Sequence, residues 1–116
     1  MAAVLVVDDD PGICQLARTI LEQRGHAVLS ASNGVEALIV YTSYHSRLDV
    51  VVVTDVNMPQ MGGIELAARI HAMHPLRRIV LMTGSTPEGV PEYCTVLTKP
   101  FRPDELTAAV QGARKG

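Results

Sequence analysis

Apolar residues come along this chain in short runs, and the runs close on polar side chains. The most marked is Val50-Val51-Val52-Val53, followed by Thr54-Asp55 and then by Val56-Asn57-Met58-Pro59. Consecutive valines are stiff at χ1 and apolar on both sides of the pleat, which suits a strand covered on both faces. Asp55 then sits at a strand's carboxyl end. Pro59 cannot donate to a ladder, so the residues after Asp55 form a loop over the rim of a sheet. Ala2 to Val7 is a second buried run and ends in Asp8, Asp9 and Asp10. Arg78 to Thr83 is a third and ends in a hydroxyl, and Thr95 to Thr98 is a shorter one before Lys99-Pro100-Phe101-Arg102. His26 to Ala31 alternates less cleanly and reads as a short strand toward the sheet edge.

Between these runs the apolar spacing is helical. Pro11 suits the first turn of a helix with Asp10 as its N-cap, and Ile13, Ala17, Ile20 and Leu21 recur at helical intervals up to Gly25, a natural stop. Asn33, with Glu36 three residues on, opens a second helix in capping-box style that continues through Ala37, Leu38 and Tyr41 toward Arg47. Ile39, Val40 and Tyr44 make that helix apolar on more than one face, which either packing by neighbouring elements or a partner explains. A third helix is expected from about Gly63 to Met73, with Leu66, Ala67 and Ile70 inward and His74-Pro75 ending it. The last begins near Pro103, carries Asp104 and Glu105 in its first turn, and turns Leu106, Ala109, Val110 and Ala113 to the core. Between Thr83 and Thr95, two prolines and two glycines oppose a regular helix, so residues 85–94 are expected to hold at most one helical turn.

Strands alternating with helices over 116 residues predict right-handed crossovers and a doubly wound α/β fold in one domain, residues 1–116. The expected sheet is five-stranded and parallel in the order 2-1-3-4-5, with a shortened or missing fourth helix. A formal net charge of −2 gives no sign of a nucleic-acid or anionic-membrane surface. No apolar run approaches the roughly 20 residues of a membrane span, and no basic stretch precedes the first apolar segment, so the expected location is cytoplasmic. Cys14 and Cys94 fall in different elements without metal-ligand spacing and read as free buried thiols. His26, His45, His71 and His74 share no ligand spacing and read as surface or helix-end residues.

In that strand order, strands 1 and 3 flank the switch point where ligands bind. Asp8, Asp9 and Asp55 converge on one rim, joined from the far side by Thr83 and Lys99. Two unit charges about 4 Å apart repel by about 4 kcal/mol at an effective dielectric near 20, so three crowded carboxylates call for a neutralising partner. All-oxygen ligation, completed by a loop carbonyl and waters, favours Mg²⁺ over zinc. With the charge offset, Asp55 is available as an oxygen nucleophile toward phosphorus. The Lys99 ammonium and the Thr83 hydroxyl are placed to meet phosphoryl oxygens.

These residues together resemble the response-regulator receiver domain of two-component signalling. The match runs over nearly the whole length: Asp8-Asp9 at a strand end, Asp55-Val56-Asn57-Met58-Pro59 with Gly62-Gly63 beyond, Thr83 closing the fourth strand, and Lys99-Pro100-Phe101 after the fifth. Receivers are themselves a standard instance of the 2-1-3-4-5 order, so the fold expectation rests partly on the resemblance. The resemblance implies phosphorylation of Asp55 by a histidine kinase or phosphotransfer protein, in a domain that catalyses its own modification without being a turnover enzyme. It implies that Asp9 and Asp55 hold Mg²⁺ through their side chains, Asn57 through its backbone carbonyl, and Asp8 mainly through metal-bound water. Lys99 and Thr83 would contact the phosphoryl group, and the Lys99-Pro100 peptide would be cis. No direct nucleic-acid binding or membrane contact is implied, and a phosphorylation-dependent dimer is among the expected assemblies.

Two departures stand out. The family usually has an aromatic residue three positions before the lysine, where this chain has Val96, and Thr83 and Lys99 are only sixteen positions apart. The familiar threonine–aromatic coupling is therefore unavailable, and the face built by the fourth helix is reduced or rebuilt. Three functions compete on the residues: a phosphorylatable switch, a phosphorylation-independent binding module of the same fold, and an enzyme, either a cofactor binder or an aspartate-nucleophile phosphatase. No phosphate-cradling glycine-rich turn follows the first strand, and Asn57 stands where such phosphatases need a second aspartate, which ranks the enzyme last.

Overall fold

A computed structural model of the chain describes residues 2–44, 49–85 and 88–115. Five strands, β1 (Ala2–Val7), β2 (Ala27–Ala31), β3 (Asp49–Asp55), β4 (Ile79–Thr83) and β5 (Cys94–Thr98), form one sheet. All neighbours are parallel, as the alternation predicted, and the order is β2-β1-β3-β4-β5, as expected from the alternation together with the family resemblance. Among the described residues four helices accompany them: α1 (Pro11–Gln23), α2 (Gly34–Tyr44), α3 (Gly63–Met73) and α4 (Pro103–Lys115). The crossover from β4 to β5 contains no helix among its described residues, with Thr86 and Pro87 lying outside them. Arg47 and His45, at the expected end of the second helix, also fall outside the described residues.

The valine run behaves as its stiffness and symmetry require. Val51 and Val53 join one core with Val4, Val6, Leu21, Leu106 and Val110, while Val50 and Val52 join the other with Leu5, Tyr41, Leu66 and Ile70. Both faces of β3 are thus dry, which excludes water from the backbone ladder beneath Asp55. Ala109 packs at the rim of the first core, whereas the side chain of Ala113 is outside the described set. β5 is an edge strand whose Leu97 is buried but whose Val96 is 42% exposed, on a stretch of sheet that a fourth-crossover helix would otherwise cover.

The local signals act largely as read. Asp10 caps α1 by accepting from the Gly12 amide at 2.8 Å, Pro11 follows it, and Gly25 takes a φ of 87° just past the helix end. Asn33 accepts from the Glu36 amide at 2.8 Å, but the Glu36 carboxylate reaches past Asn33 to the amide and hydroxyl of Ser32. Both cysteines are free and half-buried rather than fully buried. His74 caps α3, and His26 is half-buried. His71 stands in the last turn of α3, as expected, but it is half-buried, and its ring stacks on Tyr93 with centroids 3.8 Å apart and planes 3° from parallel.

At the end of the sheet opposite the acids, Tyr41 is buried and its hydroxyl lies 2.7 Å from His74 Nδ1 while accepting from Arg77 Nε at 2.9 Å. Arg77 also donates to the Val50 carbonyl at 3.3 Å, so this hydroxyl ties α2, the end of α3 and the start of β3 together. Tyr41→Phe keeps the ring and removes only that node. It is expected to cost about 1 to 2 kcal/mol in chemical denaturation, because partly buried partners on His74 and Arg77 lose a bond. A loss below a few tenths of a kcal/mol would mean that water replaces the hydroxyl without penalty.

Candidate functional site

The register of the sheet brings the polar strand ends to one rim. Val7 pairs with Ala31 on one side and Thr54 on the other, Asp55 pairs with Met82, and Thr83 with Thr98. The residues that follow β1, close β3 and follow β5 are therefore neighbours. Lys99 Nζ donates to Asp8 Oδ2 at 2.8 Å and to Asp55 Oδ1 at 3.1 Å. Asp8, Asp9 and Asp55 each offer a carboxylate oxygen within 4.8 Å of the others. Asp8 is buried, Asp55 partly buried and Asp9 exposed, so the cluster opens to solvent on the Asp9 side.

The cation that offsets the crowded acids includes one the chain supplies itself. Lys99 bridges Asp8 and Asp55, and Asp8 Oδ1 also accepts from the Asp10 amide at 2.9 Å, so both oxygens of the buried carboxylate have partners. Asp9 has no such lysine contact among the described interactions. Burial pushes the Asp55 carboxyl above its ordinary value. The charges of Asp8 and Asp9 push the same way, and the hydrogen bond and charge of Lys99 pull against them. Burial alone would lower the Lys99 ammonium, but its hydrogen bonds and charge interactions with Asp8 and Asp55 outweigh that and raise it. Three carboxylates and one ammonium leave the cluster with a formal charge of −2 and oxygen donors only: the chemistry of a hard divalent cation site.

The loop after β3 is tightly wound. The Val56 amide donates to the Met82 carbonyl at 3.1 Å, and the Gly63 amide to the Val56 carbonyl at 2.9 Å. A Cβ on Gly63 would collide with the Asp55 carbonyl oxygen and lie 2.9 Å from its carbon and 3.1 Å from Val56 Cα, so only glycine lets α3 begin this close to Asp55. Thr54, fully buried beneath the rim, donates its hydroxyl to the Asp55 carbonyl at 3.0 Å. Asn57 is exposed, two residues beyond Asp55. The Lys99-Pro100 peptide is cis.

Thr83 reaches the rim, and the Lys99 amide donates to its carbonyl at 2.7 Å, but its side chain is engaged elsewhere. Its hydroxyl donates to the Ser85 carbonyl at 2.6 Å and accepts from the Ser85 amide at 3.2 Å, closing a turn at the start of the β4–β5 crossover. Three features of the site were not read from the sequence: the double contact of Lys99, the Thr54 hydroxyl under Asp55, and the turn that holds Thr83. Gly62-Gly63 was the one available signal for the close approach of α3. The others depend on side-chain direction, which no spacing encodes. Beside Asp8 and Asp9 lies an open groove of about 360 Å³, lined also by Cys14, Gln15, Arg18 and Glu36.

The fold recurs in known proteins. The family model of the response regulator receiver domain matches residues 4–111. The chain is 34% identical over 118 residues to the transcriptional regulatory protein GlrR of Escherichia coli, covering 97% of this chain and 26% of that protein. It is 32% identical to the alkaline phosphatase synthesis transcriptional regulatory protein PhoP of Bacillus subtilis, covering 93% of this chain and 46% of the relative. This chain therefore spans only about a quarter to a half of the length of these relatives. Among solved structures, the response regulator TrrA of Thermotoga maritima, in complex with Mg²⁺ and BeF, superposes with a TM-score of 0.87 at 31% identity, covering 97% of this chain and 99% of that one. The chemotaxis response regulator CheY4 of Vibrio cholerae gives 0.81 at 33% identity, covering 97% and 98%. Strand order, rim acids and full-length similarity agree: the chain belongs to the response regulator receiver domain family.

Proposed function

We propose that Asp55 is the phosphoacceptor of this receiver, taking its phosphoryl group from a histidine kinase or phosphotransfer protein in the cytoplasm. The observation that carries the reading is the placement of the Asp55 carboxylate 3.1 Å from a lysine ammonium and within 4.8 Å of two further carboxylates. One Asp55 oxygen attacks phosphorus, the bond from phosphorus to the donor atom breaks, and the donor leaves with its electron pair. Lys99 stays close enough to exchange one of its carboxylate contacts for a phosphoryl oxygen. Thr83 can supply its hydroxyl once it lets go of the Ser85 carbonyl, so engagement of the phosphoryl group releases the first turn of the β4–β5 crossover. The acyl phosphate adds roughly −1.5 to −2 of charge and shifts an equilibrium between two conformations of the rim. With Val96 in place of an aromatic ring, that crossover is the element that reports the change.

The donor set fits Mg²⁺. Asp9 and Asp55 would hold it through side chains and Asn57 through its backbone carbonyl. Asp8, whose two oxygens already serve Lys99 and the Asp10 amide, would act through intervening water. Bound there, the ion offsets charge on the phosphoryl oxygens during transfer. The domain is then a switch that carries out its own modification, not an enzyme turning over a substrate. A binding module that had abandoned phosphate would have no use for the retained acids and lysine. A dimer that forms on phosphorylation remains part of this proposal.

Metal linkage tests the acidic cluster separately from the chemistry. At 100 times its dissociation constant, Mg²⁺ is expected to stabilise the fold by about 2.7 kcal/mol, and Asp9→Asn is expected to remove most of that gain. The metal-free variant should be no less stable than the parent, since an exposed carboxylate beside two others is lost. Chemical denaturation with and without Mg²⁺ reads both, and no stabilisation of the parent would refute the metal site.

A further inference from the structure

Among the described residues, the buried side chains that are polar or charged are Asp8, Thr54, Thr83 and Thr107. Asp8 and Thr83 already have their places at the rim, and Thr107 donates to the Pro103 carbonyl within α4 at 2.9 Å. Thr54 has no such account. The alternation of β3 puts its side chain on the face of Val50 and Val52, where it is fully buried. Four valines precede it, and a fifth would fill the same space, because valine and threonine have nearly one shape. A buried hydroxyl is costly unless it is bonded, and this one is bonded to the acceptor residue itself.

Thr54 Oγ1 donates to the Asp55 carbonyl at 3.0 Å, with Met58 Sδ, a weak acceptor, 4.0 Å away. The Val56 amide donates to the Met82 carbonyl at 3.1 Å. The Asp55 carbonyl and the Val56 amide are the two ends of one planar peptide unit, which is thus held at both. On the α3 side Gly63 leaves the carbonyl room, since a Cβ there would collide with it, while the Gly63 amide serves the Val56 carbonyl instead. On the reading of Asp55 as phosphoacceptor, we propose that Thr54 is a positioning residue for phosphoryl transfer. Its hydroxyl fixes the peptide that follows Asp55, and with it the direction in which the carboxylate leaves the backbone. Without the hydroxyl that unit pivots about its bond to Met82, and the Asp55 oxygens shift against Lys99, Asp9 and the incoming phosphorus. Thr54 itself is closed off beneath the rim and meets no donor.

The parent, Thr54→Ser, Thr54→Val and Thr54→Ala separate hydroxyl from size. The parent and Thr54→Ser carry the hydroxyl, whereas the parent and Thr54→Val carry the volume. Phosphoryl uptake from acetyl phosphate is followed by mass at saturating Mg²⁺ over a range of donor concentrations. The maximal rate in Thr54→Val and Thr54→Ala should fall about ten-fold, as for an acceptor displaced by a fraction of an ångström, and in Thr54→Ser should stay within about two-fold of the parent's. The donor concentration that gives half the maximal rate should be the same in all four, because a residue acting only on the acceptor alters the transition state and not donor binding. Stability in urea should sort differently, by volume, with Thr54→Ser and Thr54→Ala below the parent and Thr54→Val. Maximal rates that follow stability overturn the inference, as does a Thr54→Val rate equal to the parent's, and either result leaves Asp55 as the acceptor. A parent that takes up no phosphate overturns both the inference and the reading of Asp55.

Discussion

Asp55→Asn is expected to abolish phosphoryl incorporation altogether. Incubation of the parent with a small phosphodonor and Mg²⁺ should add one phosphoryl mass that base removes, as an acyl phosphate requires, and the variant should show none. The argument is geometric. Asp8 has both oxygens engaged, by Lys99 at 2.8 Å and the Asp10 amide at 2.9 Å, and is buried, while Asp9 lies on the exposed side without a described lysine contact. Of the three, only Asp55 combines partial exposure with a lysine at 3.1 Å and two other acids within 4.8 Å. An amide keeps the shape and one acceptor oxygen but is not a nucleophile toward phosphorus. Retention of a base-labile phosphoryl group in Asp55→Asn would move the acceptor to another carboxylate and end the reading given above.

Gly63→Ala is expected to be the most destabilising single-methyl change at the rim, costing about 3 kcal/mol. The added carbon meets backbone, namely the Asp55 carbonyl and Val56 Cα, so no rotamer change relieves it. Either α3 backs away from the end of β3 or the Asp55 peptide tilts, and both disturb the Gly63-to-Val56 hydrogen bond of 2.9 Å. Phosphoryl incorporation should slow with the loss of stability, because the same peptide carries the acceptor. Gly112→Ala is the internal control: it lies in α4 with no atom within 4 Å of the added carbon, and it should stabilise by about 0.5 to 1 kcal/mol by restricting the unfolded chain. Urea melts of the two variants compare them directly, and a Gly63→Ala cost under about 1 kcal/mol would show that the loop yields easily.

Much of the architecture was legible along the chain because the signals are local. Four valines in a row state that both faces are covered, whatever lies on them, and β3 has a core on each side. Asp10 before Pro11 and Gly25 after a helical run mark ends through backbone chemistry alone, and α1 starts and stops there. The prolines and glycines between Thr83 and Thr95 forecast a crossover without a helix, and none is present among its described residues. Glu36 was read half correctly: it completes a cap, but on Ser32 rather than Asn33, since the neighbouring acceptors lie within one side-chain length of each other. The position of His71 in the last turn of α3 is legible in the sequence, but the stacking of Tyr93 on its ring is not, because Tyr93 lies twenty-two positions along the chain.

By itself the sequence determined the alternation of strands and helices, the parallel pairing that follows from it, and, through its motifs, the delivery of Asp8, Asp9, Asp55, Thr83 and Lys99 to one end of the sheet. Periodicity and turn chemistry act over a few residues, and handed crossovers then leave few ways to assemble the pieces. Only the tertiary structure decided that Lys99 is shared between Asp8 and Asp55, that Thr83 gives its hydroxyl to Ser85, that α3 starts against the Asp55 carbonyl, and that the outer face of α2 is left bare. Each of these is settled by which element lies within a few ångströms of which. Residues forty to ninety positions apart set those distances jointly, and no run of neighbours in the chain contains them.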